Sequence, residues 1–342
     1  MASSRYGSSS HSSKKSKRRK FSGSGSGSGG HGYEPRDQTA VSGTFVGNPY
    51  LLADRLSEVY KLVDDHQFFD MYEEETNSRL GQGNCAVVNK LKNTKTGEVH
   101  AVKKIIKNEF WEECPMPIYK VNLFCEAACF LEIIPKHENI VNLVRIYESP
   151  NHLYYVMECL APFTLKDVFK SFTCAETRTC FYRILQAIDH LHQHGIIHGD
   201  MKLENICVKK EDNLFPILID FGNCRFDPSM VRKTKSPAFN YNELFTPFEL
   251  KELREFFPKT DKVGDVPQLA NILRMLLTGQ PHLKNSDNWE HYPMKPETSP
   301  DALALLEFME DSKLIQNTTV EQLMQHCWFD PERLAGGSSS SG

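Results

Sequence analysis

The chain has 342 residues, of which 40% are apolar and 25% are charged. This length suits about two folding units or one two-lobed domain, and it buries enough surface to exclude a wholly disordered protein. Since no apolar run approaches the roughly 18 residues of a membrane span, an integral membrane protein is excluded as well. No apolar segment follows the basic N-terminus, so we expect no secretory signal.

Ten cysteines are scattered along the chain, and none of them belongs to a CxxC pair. This spacing argues against both a zinc ribbon and a disulfide scaffold. We therefore expect a reducing intracellular compartment, either the nucleus or the cytoplasm.

The first thirty residues differ from the rest in composition. They contain seven basic residues, no acidic residue and 18 serines or glycines, whereas the whole chain has a net charge of −4. Such a segment cannot bury enough apolar surface to offset its chain entropy, so we predict a disordered basic arm over residues 1–45. The run Lys14–Lys20 suits a nuclear-import receptor or an acidic partner, and a solubilising tail is the alternative. The Gly/Ser-rich residues 336–342 predict a flexible tail.

An N-terminal helical extension is predicted over residues 46–71, before the main fold. Asn48 and Pro49 suit the start of a helix. Apolar residues then recur at helical spacing, at Leu52, Leu56, Val59, Tyr60 and Val63. We expect this helix to pack on the fold that follows.

Residues 72–159 read mainly as strands. Apolar segments at 86–88 and 100–102 flank a turn-like segment at 94–97, which predicts a hairpin. A helix is predicted at 123–134, and two further strands are predicted at 143–148 and 153–158. We assign this part of the chain to a β-rich N-lobe.

After Pro162 the pattern becomes helical, and we assign residues 160–335 to a C-lobe. One apolar stripe marks a helix that ends near Gly195, and it comprises Phe181, Ile184, Leu185, Ile188 and Leu191. Further helices are predicted at 266–277 and 320–325. The predicted fold class is therefore α+β, bilobal, with a cleft between the two lobes.

A glycine-rich segment lies within the strand pattern of the N-lobe. Its glycines allow the backbone to fold tightly over a phosphate and to present N–H groups to it. A β-turn between two strands would look the same, so the pattern alone leaves both interpretations open. A helix-type dinucleotide site is disfavoured because strand residues follow. The segment comprises Leu80, Gly81, Gln82, Gly83, Asn84, Cys85, Ala86, Val87 and Val88.

Lys103 ends a Val-rich strand that also contains Ala101. In that place its ammonium group would lie under the glycine-rich segment and hold phosphate oxygens. Such a lysine needs an orienting acid, and Glu126 on the predicted helix is the candidate. The alternative is a solvated lysine, an interpretation that suits the neighbouring Lys104.

A third cluster combines carboxylate, ammonium and amide side chains. Asp200, Lys202 and Asn205 fall within six positions, and Asp220 follows an apolar strand twenty residues later. Asn205 and Asp220 are hard oxygen ligands suited to Mg²⁺. Asp200 can accept a hydroxyl proton, and Lys202 can neutralise charge on a transferring phosphoryl group. Each residue alone has a structural alternative, such as capping a turn, but chance does not explain all of them in this order.

Together these clusters resemble the eukaryotic-type protein kinase family, over residues 72–330. The resemblance implies ATP as donor, Mg²⁺ as cofactor and protein hydroxyl groups as acceptors, with Asp200 as the catalytic base. It implies that Lys103 pairs with Glu126 and that Asn205 and Asp220 hold the metal. The stretch from Asp200 to Lys202 is similar to the Ser/Thr-specific pattern.

The same resemblance implies a nucleotide pocket between the lobes. Gly81, Gly83 and Val88 would cover ATP, and Ala101 would belong to the same pocket. Met157 is similar to the residue at the back of the adenine site. The segment Glu158–Leu160 resembles the hinge whose backbone binds adenine.

The chain departs from the family pattern mainly on the substrate side. Gly199 replaces the Arg that ordinarily binds activation-loop phosphate, so we expect no control of that kind. Residues 267–270 replace the Trp-Ser-x-Gly that follows the helix-starting Asp265, and Thr246–Glu249 stand where Ala-Pro-Glu is usual. The alternative hypothesis is therefore a kinase-like binding or scaffold protein with little turnover. Nothing in the sequence indicates a nucleic acid partner.

Overall fold

The structure of the protein is a computed structural model that describes eight segments of the chain. The predicted arm at 1–45, the helix at 123–134 and the tail at 336–342 lie outside the described residues. The described segments are residues 60–82, 86–106, 136–160, 163–209, 215–226, 264–281, 292–315 and 318–330.

The N-lobe contains a six-stranded sheet. Its strands are β1 (Tyr60–Leu62), β2 (Tyr72–Gln82), β3 (Ala86–Asn93), β4 (Val99–Ile106), β5 (Leu143–Glu148) and β6 (His152–Glu158). They lie in the order β1-β5-β6-β4-β3-β2, antiparallel except for the parallel pair β1 and β5. The predicted hairpin joins β3 to β4, and Gly97 supplies a φ of +76° in its turn.

The two faces of β4 have different surroundings, because alternate residues of a strand point to opposite faces. Val102 belongs to an outer apolar cluster, and Nζ of Lys104 lies 5.7 Å from the centre of the Phe69 ring on that side. Ile105 belongs to the main core on the inner face. The alternation places Lys103 on that inner face, which borders the second lobe.

Helix α1 (Asp65–Met71) covers the outer face of the sheet. A capping box fixes its start: Asp64 accepts a hydrogen bond from the N–H of Gln67, whose side chain accepts from the N–H of Asp64. Phe68 is fully buried and stacks on Tyr154, with 3.8 Å between the ring centres. Burying a side chain of this size stabilises the fold by about 2–3 kcal/mol.

The helical extension predicted over residues 46–71 is wrong at residues 60–63, although residues 65–71 are helical. Residues 60–62 form β1, and Val63 donates its N–H to the carbonyl of Glu148 (2.9 Å). The edge of β5 offers unpaired backbone groups, and pairing with that edge overrides the helical spacing. Residues 46–59 of the predicted extension lie outside the described residues.

Asp65 fastens α1 to the sheet. It accepts a hydrogen bond from the hydroxyl of Tyr154 (2.7 Å) and lies 2.9 Å from Nδ1 of His152. Burial raises the pKa of Asp65, but hydrogen bonds with Ser149, Tyr154 and His152 outweigh burial and lower the pKa from 3.8 to about 2. The charged carboxylate is therefore the form that stabilises this contact.

We expect Asp65→Asn to lower the free energy of unfolding at pH 7 by about 1.5 kcal/mol, since the variant loses charge-assisted hydrogen bonds. The folded pKa lies below the ordinary value, so this stability is present above about pH 4 and is lost as the pH falls toward 2. Urea unfolding at pH 7 and pH 3 measures the difference, with Asp70→Asn in the exposed part of the same helix as control. An equal difference at both pH values would contradict the prediction.

The C-lobe is mainly helical. Within the described residues its α-helices are α2 (Leu165–Val168), α3 (Cys174–Gln193), α4 (Val266–Thr278), α5 (Pro300–Glu310) and α6 (Val320–Met324). Thr173 caps α3 by accepting from the N–H of Glu176, and Gly195 follows its end with a φ of +76°. The apolar stripe predicted for this helix is confirmed, because all its residues are buried in the core.

Two short strand pairs hold the loops that lie between the lobes. β7 (Ile196–Ile197) pairs with β10 (Arg225–Phe226), and β8 (Ile206–Lys209) pairs with β9 (Phe215–Leu218). Both pairs are antiparallel, so the loop after β7 and the loop after β9 are held side by side. The predicted α+β, bilobal architecture is confirmed. Among the helices of the described segments, none combines the length and apolar character that crossing a membrane requires.

Candidate active site

Lys103 and Asp220 form an ion pair at the junction of the lobes. Nζ of Lys103 lies 3.0 Å from Oδ1 of Asp220. The charge of Lys103 lowers the pKa of Asp220 to about 2 and outweighs burial, which raises it. The lysine side chain is 13% exposed, but the aspartate side chain is 44% exposed. The carboxylate of Asp220 is therefore fixed by the lysine and still accessible to solvent.

Gly222 packs against this ion pair. Its N–H donates to Oδ1 of Asp220 (3.2 Å). A Cβ atom added to Gly222 would lie 3.1 Å from Nζ of Lys103 and 3.3 Å from Oδ1 of Asp220. Both distances are shorter than ordinary van der Waals contact, so a side chain at this position would disturb the pair.

Asp200 lies in the loop after β7, where several side chains bind it. Its Oδ2 accepts hydrogen bonds from Nζ of Lys202 (2.6 Å), Nδ2 of Asn205 (3.1 Å) and Nδ2 of Asn223 (3.3 Å). Among the residues that the structure describes, no side chain donates to its Oδ1. One carboxylate oxygen is thus held in place while the other is left to accept a proton.

Asn205 is buried, and its side-chain amide is oriented by Asp200. Nδ2 donates to the main-chain carbonyl of Asp200 (2.8 Å) as well as to its carboxylate, which leaves Oδ1 as a donor atom for a cation. Together with Asp220 this makes two hard oxygen ligands, a set that suits Mg²⁺, which completes its coordination with water and phosphate. In the described segments, no group of three or more His, Cys, Asp or Glu side chains is arranged to hold a metal by itself.

Asp265, fully buried at the start of α4, holds the backbone of the Asp200 loop. Its two oxygens accept hydrogen bonds from the N–H groups of His198 (2.9 Å) and Gly199 (2.8 Å). One of them also lies 2.8 Å from Nε2 of His192. Burial raises the pKa of Asp265, but the bonds with His192 and Gly199 outweigh it and lower the pKa.

Those residues of the predicted nucleotide cover that the structure describes lie on strands that neighbour Lys103. In the strand register Gly81 is opposite Val88, Val88 is opposite Lys103, and Ala101 is opposite Met157. Leu80 and Gln82 are exposed and Ala86 is half-buried. Gly83, Asn84, Cys85 and Glu126 lie outside the described residues, so the predicted pairing of Lys103 with Glu126 stays a prediction.

The segment predicted as a hinge follows β6. Glu158 accepts a hydrogen bond from the N–H of Asn142 at Oε1 (2.8 Å) and donates its own N–H to the carbonyl of Asn142 (3.0 Å). The side chain of Glu158 is thus engaged within the protein rather than directed at a ligand. Leu160 is half-buried and packs against the main core.

The sequence matches the protein kinase domain family over residues 74–329, which is most of the chain. The chain belongs to the protein kinase family. This assignment confirms the resemblance stated above and agrees with the bilobal fold of this kinase. Lys103, Asp200, Asn205 and Asp220 all fall within the matched residues.

Curated relatives of this kinase are similar at modest identity. It is 30% identical over 285 residues to Death-associated protein kinase dapk-1 of Caenorhabditis elegans, covering 78% of this chain and 19% of that protein. It is 31% identical over 207 residues to Sperm motility kinase 3A of Mus musculus (59% and 37% covered) and 28% identical over 268 residues to Probable serine/threonine-protein kinase fhkC of Dictyostelium discoideum (73% and 43%). The kinase spans less than half the length of each of these relatives.

The contacts of the site that were missed from the sequence include one at Asp200 and one at Asp265. Asn223 binds the carboxylate of Asp200, and His192 binds that of Asp265. Each contact joins residues that are distant along the chain, so no local periodicity indicates it. For Asn223 the available signal is its place directly after Gly222.

Proposed function

We propose that this kinase is an active serine/threonine protein kinase. The observation that carries the proposal is the arrangement at Asp200, where three donors hold Oδ2 and no described side chain donates to Oδ1. A carboxylate held in this way is positioned to take the proton of a substrate hydroxyl as its oxygen attacks the phosphoryl group. A scaffold protein without turnover has no need of this arrangement.

ATP is the proposed phosphoryl donor. Lys103, oriented by Asp220, would hold phosphate oxygens, and the glycine-rich segment 80–88 would cover them. Mg²⁺, when bound through Asn205 and Asp220, supplies positive charge that neutralises the phosphate oxygens. Lys202, 2.6 Å from Asp200, would lie beside the attacking hydroxyl and balance the charge of the transferred group.

Two observations support Ser and Thr as the acceptors. The stretch from Asp200 to Lys202 is similar to the Ser/Thr-specific pattern, and one relative, fhkC of Dictyostelium discoideum, is a probable serine/threonine-protein kinase. We also propose that the run Lys14–Lys20 contacts a nuclear-import receptor or an acidic partner and favours a nuclear location. Fluorescence microscopy of the whole chain and of a variant without residues 1–45 tests this second point.

The test of the proposed activity is a kinase assay on the purified full chain. Mg-ATP with a radiolabelled γ-phosphate and a generic basic protein substrate should give label on Ser or Thr, as read by phosphoamino acid analysis. Asp220→Asn protein, prepared in the same way, corrects for contaminating kinases. Wild-type turnover no greater than that of the variant would favour the scaffold hypothesis, and label on Tyr would contradict the proposed acceptor.

We expect Gly222→Ala to lower kcat about tenfold while the fold is retained. The added methyl group would displace Lys103 or Asp220 by a few tenths of an ångström, and misplacement of reacting groups by as much as 1 Å costs roughly a hundredfold. Initial rates at saturating ATP measure the effect, and circular dichroism checks the fold. An unchanged kcat would mean that the ion pair accommodates the methyl group without loss.

A further inference from the structure

Helix α4 begins with a residue pattern that caps two other helices of this kinase through side-chain hydrogen bonds. In α1 and α6 the third residue, Gln67 or Gln322, accepts a hydrogen bond from the N–H of its own cap residue. Gln268 occupies the same third position of α4, after Asp265. Asp265, however, makes no side-chain bond to its own helix, and Gln268 is directed at a different partner.

Gln268 binds the two peptide groups that flank Asp200. Its Oε1 accepts a hydrogen bond from the N–H of Met201 (2.6 Å), and its Nε2 donates to the carbonyl of Gly199 (3.1 Å). That carbonyl belongs to the peptide group before Asp200, and that N–H belongs to the peptide group after it. Because peptide groups are planar, one side-chain amide fixes the backbone on both sides of Asp200 and hence the direction of its Cα–Cβ bond.

Gly199 adopts a backbone conformation that favours glycine. Its φ is +77°, in the left-handed region that residues with side chains rarely occupy. Because glycine has no side chain, position 199 offers only backbone groups to its surroundings. Asp265 takes the N–H of Gly199, and Gln268 takes its carbonyl.

We infer that Gln268 is a positioning residue that holds Asp200 in its catalytic direction. Gly199 and Gln268, which both differ from the family pattern, thus contact each other next to the proposed base Asp200. The inference rests on the proposed role of Asp200 as the base. Gln268 itself acts through the backbone and does not touch the reacting atoms.

The first test compares Gln268→Met with Gln322→Met. Both changes remove the amide from the third position of a helix, but Gln322 lies in α6, and its side chain bonds its own cap residue Thr319. We expect Gln268→Met to lower kcat tenfold or more, because Asp200 loses its fixed direction, with KM for ATP within about twofold of wild type. Gln322→Met should leave kcat unchanged. Unfolding midpoints are measured for both variants, and the assays are run well below them.

The second test is Gln268→Glu, which separates positioning from general stability. An ionised carboxylate has no donor for the carbonyl of Gly199, whereas a protonated carboxyl has one donor and one acceptor, as the amide has. The ratio of variant to wild-type kcat should therefore rise about twofold or more as the pH falls from 8 to 5, toward the ordinary glutamate pKa of about 4.3. The charged and titratable side chains near position 268, which include Asp200, Lys202, His198 and Asp265, are present in both proteins, so the ratio removes their common effect. For Gln268→Met the ratio should stay flat.

The outcomes are distinguishable. If wild type is active and Gln268→Met is as active as Gln322→Met, the inference is wrong and the proposed function stands. A pH-independent ratio for Gln268→Glu also overturns the inference, and this test applies even if Gln268→Met does not fold. Wild-type protein with no turnover above Asp220→Asn overturns the proposed function, and the inference with it.

Discussion

Asp220→Asn should lower kcat for phosphoryl transfer at least a hundredfold. The change removes the negative charge that faces Lys103 at 3.0 Å and weakens one of the two oxygen ligands proposed for Mg²⁺. Losing one preorganised electrostatic contact in an active site costs roughly 3–4 kcal/mol of transition-state stabilisation, which corresponds to a factor of about 10²–10³. The fold should persist, because Asn has nearly the shape of Asp and the side chain is 44% exposed.

Steady-state kinetics with Mg-ATP measures the loss of kcat, and thermal unfolding shows whether the fold persists. Asp70→Asn is the matched control, since its carboxylate is 69% exposed and its 3.5 Å contact with His66 lies within α1. That control should keep wild-type kcat. A loss of less than tenfold in Asp220→Asn would show that this carboxylate is not needed at the reacting phosphate.

Asp265→Asn should produce the largest loss of stability, about 3 kcal/mol. The carboxylate is fully buried and accepts from His198 and Gly199 while it lies 2.8 Å from Nε2 of His192. An amide would turn an N–H group toward one of these donors and leave buried N–H groups unpaired, and each unpaired buried group costs roughly 1–3 kcal/mol. In a chain of this size the unfolding midpoint should fall by roughly 6–12 °C.

Differential scanning calorimetry as a function of pH tests this cause. The pKa of Asp265 is lowered in the folded state, so its stabilising contribution is complete above the ordinary Asp pKa and is lost as the pH falls through the folded value. The difference between wild type and variant should therefore be full at pH 7 and should shrink in acid. A variant that unfolds within 2 °C of wild type at pH 7 would contradict the assigned hydrogen bonds.

The regular elements in the described segments could be predicted because their apolar residues repeat with the period of a strand or a helix. Helix α3 is the clearest case, since its apolar stripe is the face that the core buries. The ion pair of Lys103 with Asp220 was not predicted, although both residues were candidates. Lys103 was assigned Glu126 as its partner, and Asp220 was assigned a metal. A contact between the two lobes joins residues that are far apart in the sequence, so local spacing does not indicate it.

Elements whose partner lies elsewhere in the chain were predicted wrongly or missed. β1 has helical spacing but pairs with the edge of β5. Asp265 and Gln268 have the spacing of a helix cap, which sequence alone would favour. Both instead bind the loop around Asp200, because buried backbone N–H and carbonyl groups there need partners.

The packing of α1 on the sheet bears on how this kinase can be shortened. The family match begins at residue 74, after α1 has ended. A fragment cut at that boundary would lose Phe68, and the rings of Tyr147 and Tyr154 that it covers would become exposed. Exposed apolar patches of this kind promote aggregation. A soluble catalytic fragment should therefore begin at or before Tyr60, so that β1 and the cap of α1 are retained.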